Sequence, residues 1–160
     1  MIFRAIELEN IYAVISFPIF GLSMILLYLA STLFHSSKNP RLRLRLNIFD
    51  HAAIYVLIAG SYSPFLLVSL QGPAGFRMFT VVWMIALVGV VFKIFFIGKW
   101  NVISTILYVG MGWLIIFSFK SLMINLDFKG LVWLIAGGVS YTFGAILFSF
   151  NKIKFNHAIF

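Results

Sequence analysis

The sequence predicts an all-α integral membrane protein, a bundle of about five transmembrane helices, and three observations carry that expectation. Hydrophobic residues fill 62% of the 160 positions and charged residues only 10%, against about a quarter charged and roughly half apolar in a soluble domain. Mean hydropathy is +1.07. The apolar residues fall in long runs that are almost free of ionisable groups. There is too little polar sequence to cover a water-soluble globule, so the bilayer must solvate most of the chain. A single transmembrane domain, 1–160, is the natural count.

Five spans follow in order. The run Ile11–Phe34 holds no ionisable residue over 24 positions, and Ala52–Leu70 holds none over 19. Met78–Ile97 is interrupted only by Lys93, near its end, where a long side chain can snorkel to the interface. Val102–Phe119 and Gly130–Phe150 complete the set, and the stub of a further helix starts at His157. About 20 residues at 1.5 Å each cross the hydrocarbon core. Backbone groups in lipid must be satisfied within their own segment, which forces helices. A barrel would need alternating apolar and polar positions, and these runs are apolar on all sides. The first span exceeds the apolar core of a signal peptide, and Glu7 and Glu9 precede it beside a single Arg4.

Within the spans, Pro18 and Pro64 each remove a backbone donor and should kink their helices. The carbonyl of Gly60 freed by Pro64 could be met by a nearby hydroxyl. Gly110, Gly112, Gly137, Gly138 and Gly144 read as sites of close helix contact, and the 19 Phe as packing and lipid-facing residues. The alternation Arg41-Leu42-Arg43-Leu44-Arg45-Leu46 could form a short strand. It reads better as a juxtamembrane anchor, with arginines among the headgroups and leucines dipping into the interface.

The formal charge of +8 does not imply nucleic acid as a partner, because the basic residues lie between spans and form no patch on a recognisable binding fold. They set orientation instead. Lys38, Arg41, Arg43, Arg45, Lys93, Lys99, Lys152 and Lys154 fall on one side, and Arg4, Arg77, Lys120 and Lys129 on the other. The positive-inside rule assigns the larger group to the cytoplasm. Met1 then starts outside with no preceding signal, which hints at an upstream helix. There are no cysteines, so disulfides and thiolate metal sites are excluded.

Ionisable groups at membrane depth are costly and default to functional suspicion. Here they are His35, Asp50, His51 and His157. Ser31 and His35 are four apart and share a helix face. His35 ends the first span, Asp50 starts the next, and His157 follows the basic Lys152 and Lys154, so topology puts all three at one level near the cytoplasmic face. Imidazoles plus a carboxylate suit zinc, whose catalytic sites use three protein ligands and keep a place for water. A carboxylate can orient or deprotonate that water. Spacing alone leaves a second reading open, interfacial residues bonded to headgroups or loop carbonyls. His51 faces about 100° from Asp50 on a helix, and for it the second reading is preferred.

These residues resemble a known family. Ala30-Ser31-Thr32-Leu33-Phe34-His35, then Asp50-His51-Ala52-Ala53-Ile54-Tyr55 and Ile58-Ala59-Gly60-Ser61-Tyr62-Ser63-Pro64-Phe65, look like the hallmark segments of bacterial hemolysin III proteins. Leu107-Tyr108, Gly112-Trp113, Gly137-Gly138, Tyr141, Gly144 and Asn156-His157-Ala158-Ile159 follow the same pattern. That family belongs with the progestin and adipoQ receptors and is more distantly similar to alkaline ceramidases.

The resemblance implies a fold of seven transmembrane helices around a zinc ion near the cytoplasmic face of a bacterial plasma membrane. His35 and His157 would be metal ligands, Asp50 would hold the catalytic water, and Ser31 would line the site. A second zinc histidine would fall four residues after His157, one place beyond Phe160. A family helix before Ile11 is also absent, so the chain is expected to be a fragment. The implied activity is zinc-dependent hydrolysis of amide or ester bonds in membrane lipids. The alternatives are a membrane-lytic cytolysin and a receptor-like lipid-homeostasis protein with structural zinc. No span carries the continuous polar stripe that a water-filled pore would need.

Overall fold

The computed structural model describes residues 10–95 and 101–149, and among these every long element is helical. The chain divides into two compact units, Met1–Lys99 and Trp100–Phe160. Four segments are long and apolar enough to cross a membrane: Ile11–Ser36, Pro40–Ser69, Pro73–Phe95 and Ile103–Asn125. The fifth expected span is helical over Phe128–Ser149.

In the first unit, α1 covers Ile11–Ser36, α2 covers Pro40–Pro64, and α3 covers Pro73–Phe95. Asn10 opens α1 by accepting a bond from the Ala13 N–H at 3.1 Å, which satisfies a donor that the helix cannot. The hydroxyls of Ser23 and Thr32 donate to the carbonyls of Phe20 and Tyr28, both at 2.7 Å, so neither needs an outside partner. Helix α1 runs through Pro18 without a break in its assignment.

The Arg41–Leu46 stretch is not a strand. It is the first part of α2. Asn39 accepts from the N–H groups of Arg41 and Leu42 at 3.0 and 3.4 Å, and Pro40 occupies the first helical turn. A capping Asn followed by Pro is a strong start signal, and it overrides the two-residue alternation that suggests a strand. Beyond Pro64 the helix widens into a π-helical turn, Phe65–Ser69, closed by the Leu70 N–H on the Phe65 carbonyl at 3.0 Å. Proline removes a donor from the regular ladder, and a π-turn is one way for the backbone to re-pair. Gly72, with φ of 113°, then reverses the chain in a conformation that disfavours a side chain.

Helix α2 is the centre of this unit. Of its apolar window 56% is buried, against 22% for α1 and for α3. Tyr55, Ala59 and Leu66 are fully enclosed. Close approach on both flanks depends on glycine. A Cβ at Gly60 would collide with the Ser23 side chain of α1, and a Cβ at Gly89 of α3 would enter the Tyr55 ring. Between α2 and α3, Trp83 Nε1 donates to Ser63 Oγ at 3.2 Å, and Ser63 donates to the Ala59 carbonyl at 3.0 Å. The outward faces carry large apolar residues such as Leu22, Ile25, Tyr28, Met84, Leu87 and Val88. Such a sheath is costly in water and ordinary against lipid.

In the second unit, α4 spans Asn101–Gly112, continues as a 3₁₀ stretch Trp113–Ser118, and resumes as α5, Phe119–Asn125. The expected span 102–119 is therefore a composite. Helix α6 covers Phe128–Ser149. Trp113 Nε1 donates to Thr142 Oγ1 at 2.9 Å, and Thr142 donates to the Gly138 carbonyl at 2.8 Å. Of the glycines read as contact points, Gly112 approaches Tyr141, where an added Cβ would lie 3.3 Å from the ring. Around Gly110, Gly137, Gly138 and Gly144 an added Cβ would meet nothing within 4 Å among the described residues.

Candidate active site

The last turns of α1 and the first turns of α2 lie side by side, joined by the short 37–39 link. This hairpin brings Ser31 and His35 of α1 to Asp50 of α2. The Asp50 carboxylate is within hydrogen-bonding reach of the Ser31 hydroxyl and within coulombic reach of the His35 and His51 imidazoles. Ser31 and Asp50 are half-buried, while His35 is exposed. Phe34 holds His35 from the side, with ring centroids 4.9 Å apart at 67°, an edge-to-face pairing.

His51 also acts on Asp50, and its ring is tied to its own helix as well. Its Nδ1 lies 2.8 Å from the Asn47 carbonyl one turn back, an arrangement in which Nδ1–H donates and the ring is held against its own helix. The other groups acting on it are Asp50 and Lys93. Both the Asp50 carboxylate and the α3 ammonium thus act on this imidazole.

Lys93 departs from the sequence expectation. It is 2% exposed and lies on the buried stripe of α3 with Val82, Ala86 and Gly89, so it does not snorkel outward. Helices α2 and α3 are consecutive and antiparallel, and Gly89 packs on Tyr55. One turn further along α3 therefore meets one turn earlier along α2, which is where His51 lies. The missed signal was the spacing of Lys93 from Gly89, four residues along one face.

His157 falls outside the described residues, so its expected meeting with His35 has no structural description. Among the described residues, no group of three or more His, Asp or Glu converges as a metal cage. An imidazole and a carboxylate do stand together at His35 and Asp50, and both are zinc-type donors. These two residue types are of the kind that such an ion accepts. A separate cavity of about 350 Å³, lined by Tyr12, Leu66, Leu67, Gly72, Pro73 and Phe76, lies toward the opposite end of α2.

Comparison with known proteins decides the family. A model described as Haemolysin-III related matches residues 1–160. The chain belongs to the haemolysin III family. It is 49% identical to Hemolysin-3 of Bacillus cereus over 147 residues, covering 92% of this chain and 67% of that protein. Against the Hemolysin-3 homolog of Bacillus subtilis (strain 168) identity is 46% over 159 residues, or 99% and 75% of the two chains. The similarity extends to the human Monocyte to macrophage differentiation factor, 34% identical over 150 residues, which covers 88% of this chain and 60% of that one. No solved structure matches. Together with its apolar helices, these relationships make this haemolysin III chain an integral membrane protein.

Proposed function

We propose that this haemolysin III protein contributes a hydrolytic centre acting on amide or ester bonds of membrane lipids, with the site at the cytoplasmic ends of its helices. The observation that carries the reading is a half-buried carboxylate, Asp50, on which the Ser31 hydroxyl and the His35 imidazole both act, at the end of a membrane hairpin. Structural packing alone seldom calls for an ionisable group at such a level.

His35 would be a zinc ligand, together with His157. When bound, zinc would supply the Lewis acidity that lets water act as a nucleophile near neutral pH. The chain's own residues have the remaining tasks. Ser31 donates to Asp50 and fixes the direction of its carboxylate. Asp50 takes a proton from the attacking water as the new C–O bond forms at the lipid carbonyl. It then returns that proton to the leaving nitrogen or oxygen as the C–N or C–O bond breaks, giving a carboxylic acid and an amine or alcohol. The substrate enters from the bilayer, because lipid carbonyls lie at the interfacial level of these helix ends.

The test is release of fatty acid from a ceramide-like amide and a matched ester by purified, reconstituted protein, with and without a metal chelator. Chelator-sensitive release supports the reading. Leakage of a trapped dye without any release would favour the lytic alternative, which rests on the relatives' name.

A further inference from the structure

We infer that the exposed start of α2 is a docking surface for anionic phospholipid, with Arg43 placing the bound phosphate beside the candidate site. The inference rests on helix geometry and charge and does not depend on hydrolysis.

The continuous segment Pro40–Ser69 has 30 residues. At 1.5 Å each it is about 45 Å long, while the hydrocarbon core is about 30 Å thick. Its charge-free part starts at Ala52. The first turns must therefore emerge at headgroup level, and these turns carry Arg41, Arg43 and Arg45, with Lys38 just ahead of them. All four are exposed.

Because the segment is helical, its arginines do not line one side as they would on a strand. Arg41 and Arg45 share a face, and Arg43 lies about 200° from Arg41 at 100° per residue. Leu42 and Leu44, 49% and 56% exposed, alternate with them around the same turns. A ring of cations interleaved with bare leucines suits an interface in which guanidinium groups meet phosphate and leucines enter the glycerol and upper acyl region. It does not suit a protein or nucleic-acid partner, which would need the charges on one face. Asn39 already occupies the first free N–H groups of the helix, so the attraction comes from the side chains. Asp50, the acidic residue of these turns, takes its contacts from Ser31, His35 and His51 and not from the arginines.

Arg43 links the ring to the site. Its guanidinium carbon lies 5.3 Å from the centroid of Phe34, and the same ring packs edge-on against His35. A phosphate held by Arg43 is thus one aromatic ring away from His35.

The experiment places the purified chain in phosphatidylcholine nanodiscs and titrates phosphatidylglycerol that carries an acceptor dye on its acyl chain. Binding is read by energy transfer from the native tryptophans, with labelled phosphatidylcholine as reference. Wild type should prefer phosphatidylglycerol, and added salt should weaken the preference. Each arginine removed should cost about fivefold in apparent affinity, so Arg41→Gln, Arg43→Gln and Arg45→Gln together should cost on the order of 100-fold. The corresponding triple lysine variant should keep most of the preference. Arg43→Gln alone should still show its fivefold loss where the triple variant disturbs folding. Equal binding of the two lipids by wild type, or an undiminished preference in the glutamine variants, would overturn the proposal.

Discussion

Gly89 lies against the ring of Tyr55 so closely that a single added methyl group would overlap three ring atoms. Tyr55 is fully buried on the central helix α2, so its ring has little room to retreat. This contact sets the spacing of α2 and α3, and hence the level at which Lys93 meets His51. Gly89→Val should lower thermal stability in detergent by about 1–3 kcal/mol, the usual cost of overpacking. Gly137→Val, at a position with open space, should change it little. Equal effects from the two substitutions would show that the Tyr55 contact does not hold the helices.

Lys93 supplies a second check on the same packing. A lysine that snorkels to the interface reacts with water-soluble amine reagents, whereas one enclosed between helices does not. At 2% exposure Lys93 should stay unlabelled in folded protein while exposed Lys38 reacts readily, as read by peptide mass spectrometry. Comparable labelling of both lysines would mean that the sequence expectation of an outward side chain was right.

Orientation follows from the distribution of lysine and arginine. Reporter fusions after Lys99 and after Asp127 flank the candidate span Ile103–Asn125. The first should report cytoplasm and the second the outside. The same location for both would remove that crossing.

Metal binding separates the two histidines of the hairpin. If His35 is a ligand, His35→Ala should reduce zinc retained by the purified protein by at least the 10–100-fold typical of lost supporting contacts. His51→Ala should leave zinc content near wild type, because the ligands proposed for the site are His35 and His157. Elemental analysis of the two variants decides this, and retained zinc in His35→Ala would exclude that ligand.

Much of this architecture is legible in the sequence because lipid imposes a simple rule. A charge-free run such as Ile11–Phe34 can only be a helix in a bilayer, and the structure has one at Ile11–Ser36. The proximity of Ser31, His35 and Asp50 is also legible, since the first two share a helix face and the third begins the neighbouring helix across a short link.

What sequence alone misreads are choices made by partners. The Arg-Leu alternation admits a short strand and reads better as a juxtamembrane anchor, and neither reading shows that Asn39 and Pro40 start a helix there. Gly60 and Gly89 carry the close contacts, while Gly110 and Gly137 do not, because a glycine does not announce what packs on it. Lys93 looks like an interfacial residue because a hydropathy pattern records depth and not the direction of a face.

The most direct test of the central claim is the effect of Asp50→Asn on lipid hydrolysis. The substitution keeps the size of the side chain and its contact with Ser31 but removes the carboxylate that accepts the proton. With helical content unchanged by circular dichroism, fatty-acid release from a ceramide-like amide should fall by about 10²–10⁴-fold, the typical contribution of a positioned acid–base group. Ser31→Ala should give a smaller loss. If Asp50→Asn releases fatty acid as fast as wild type, the carboxylate beside Ser31 and His35 is not the reactive group, and the hydrolase reading fails.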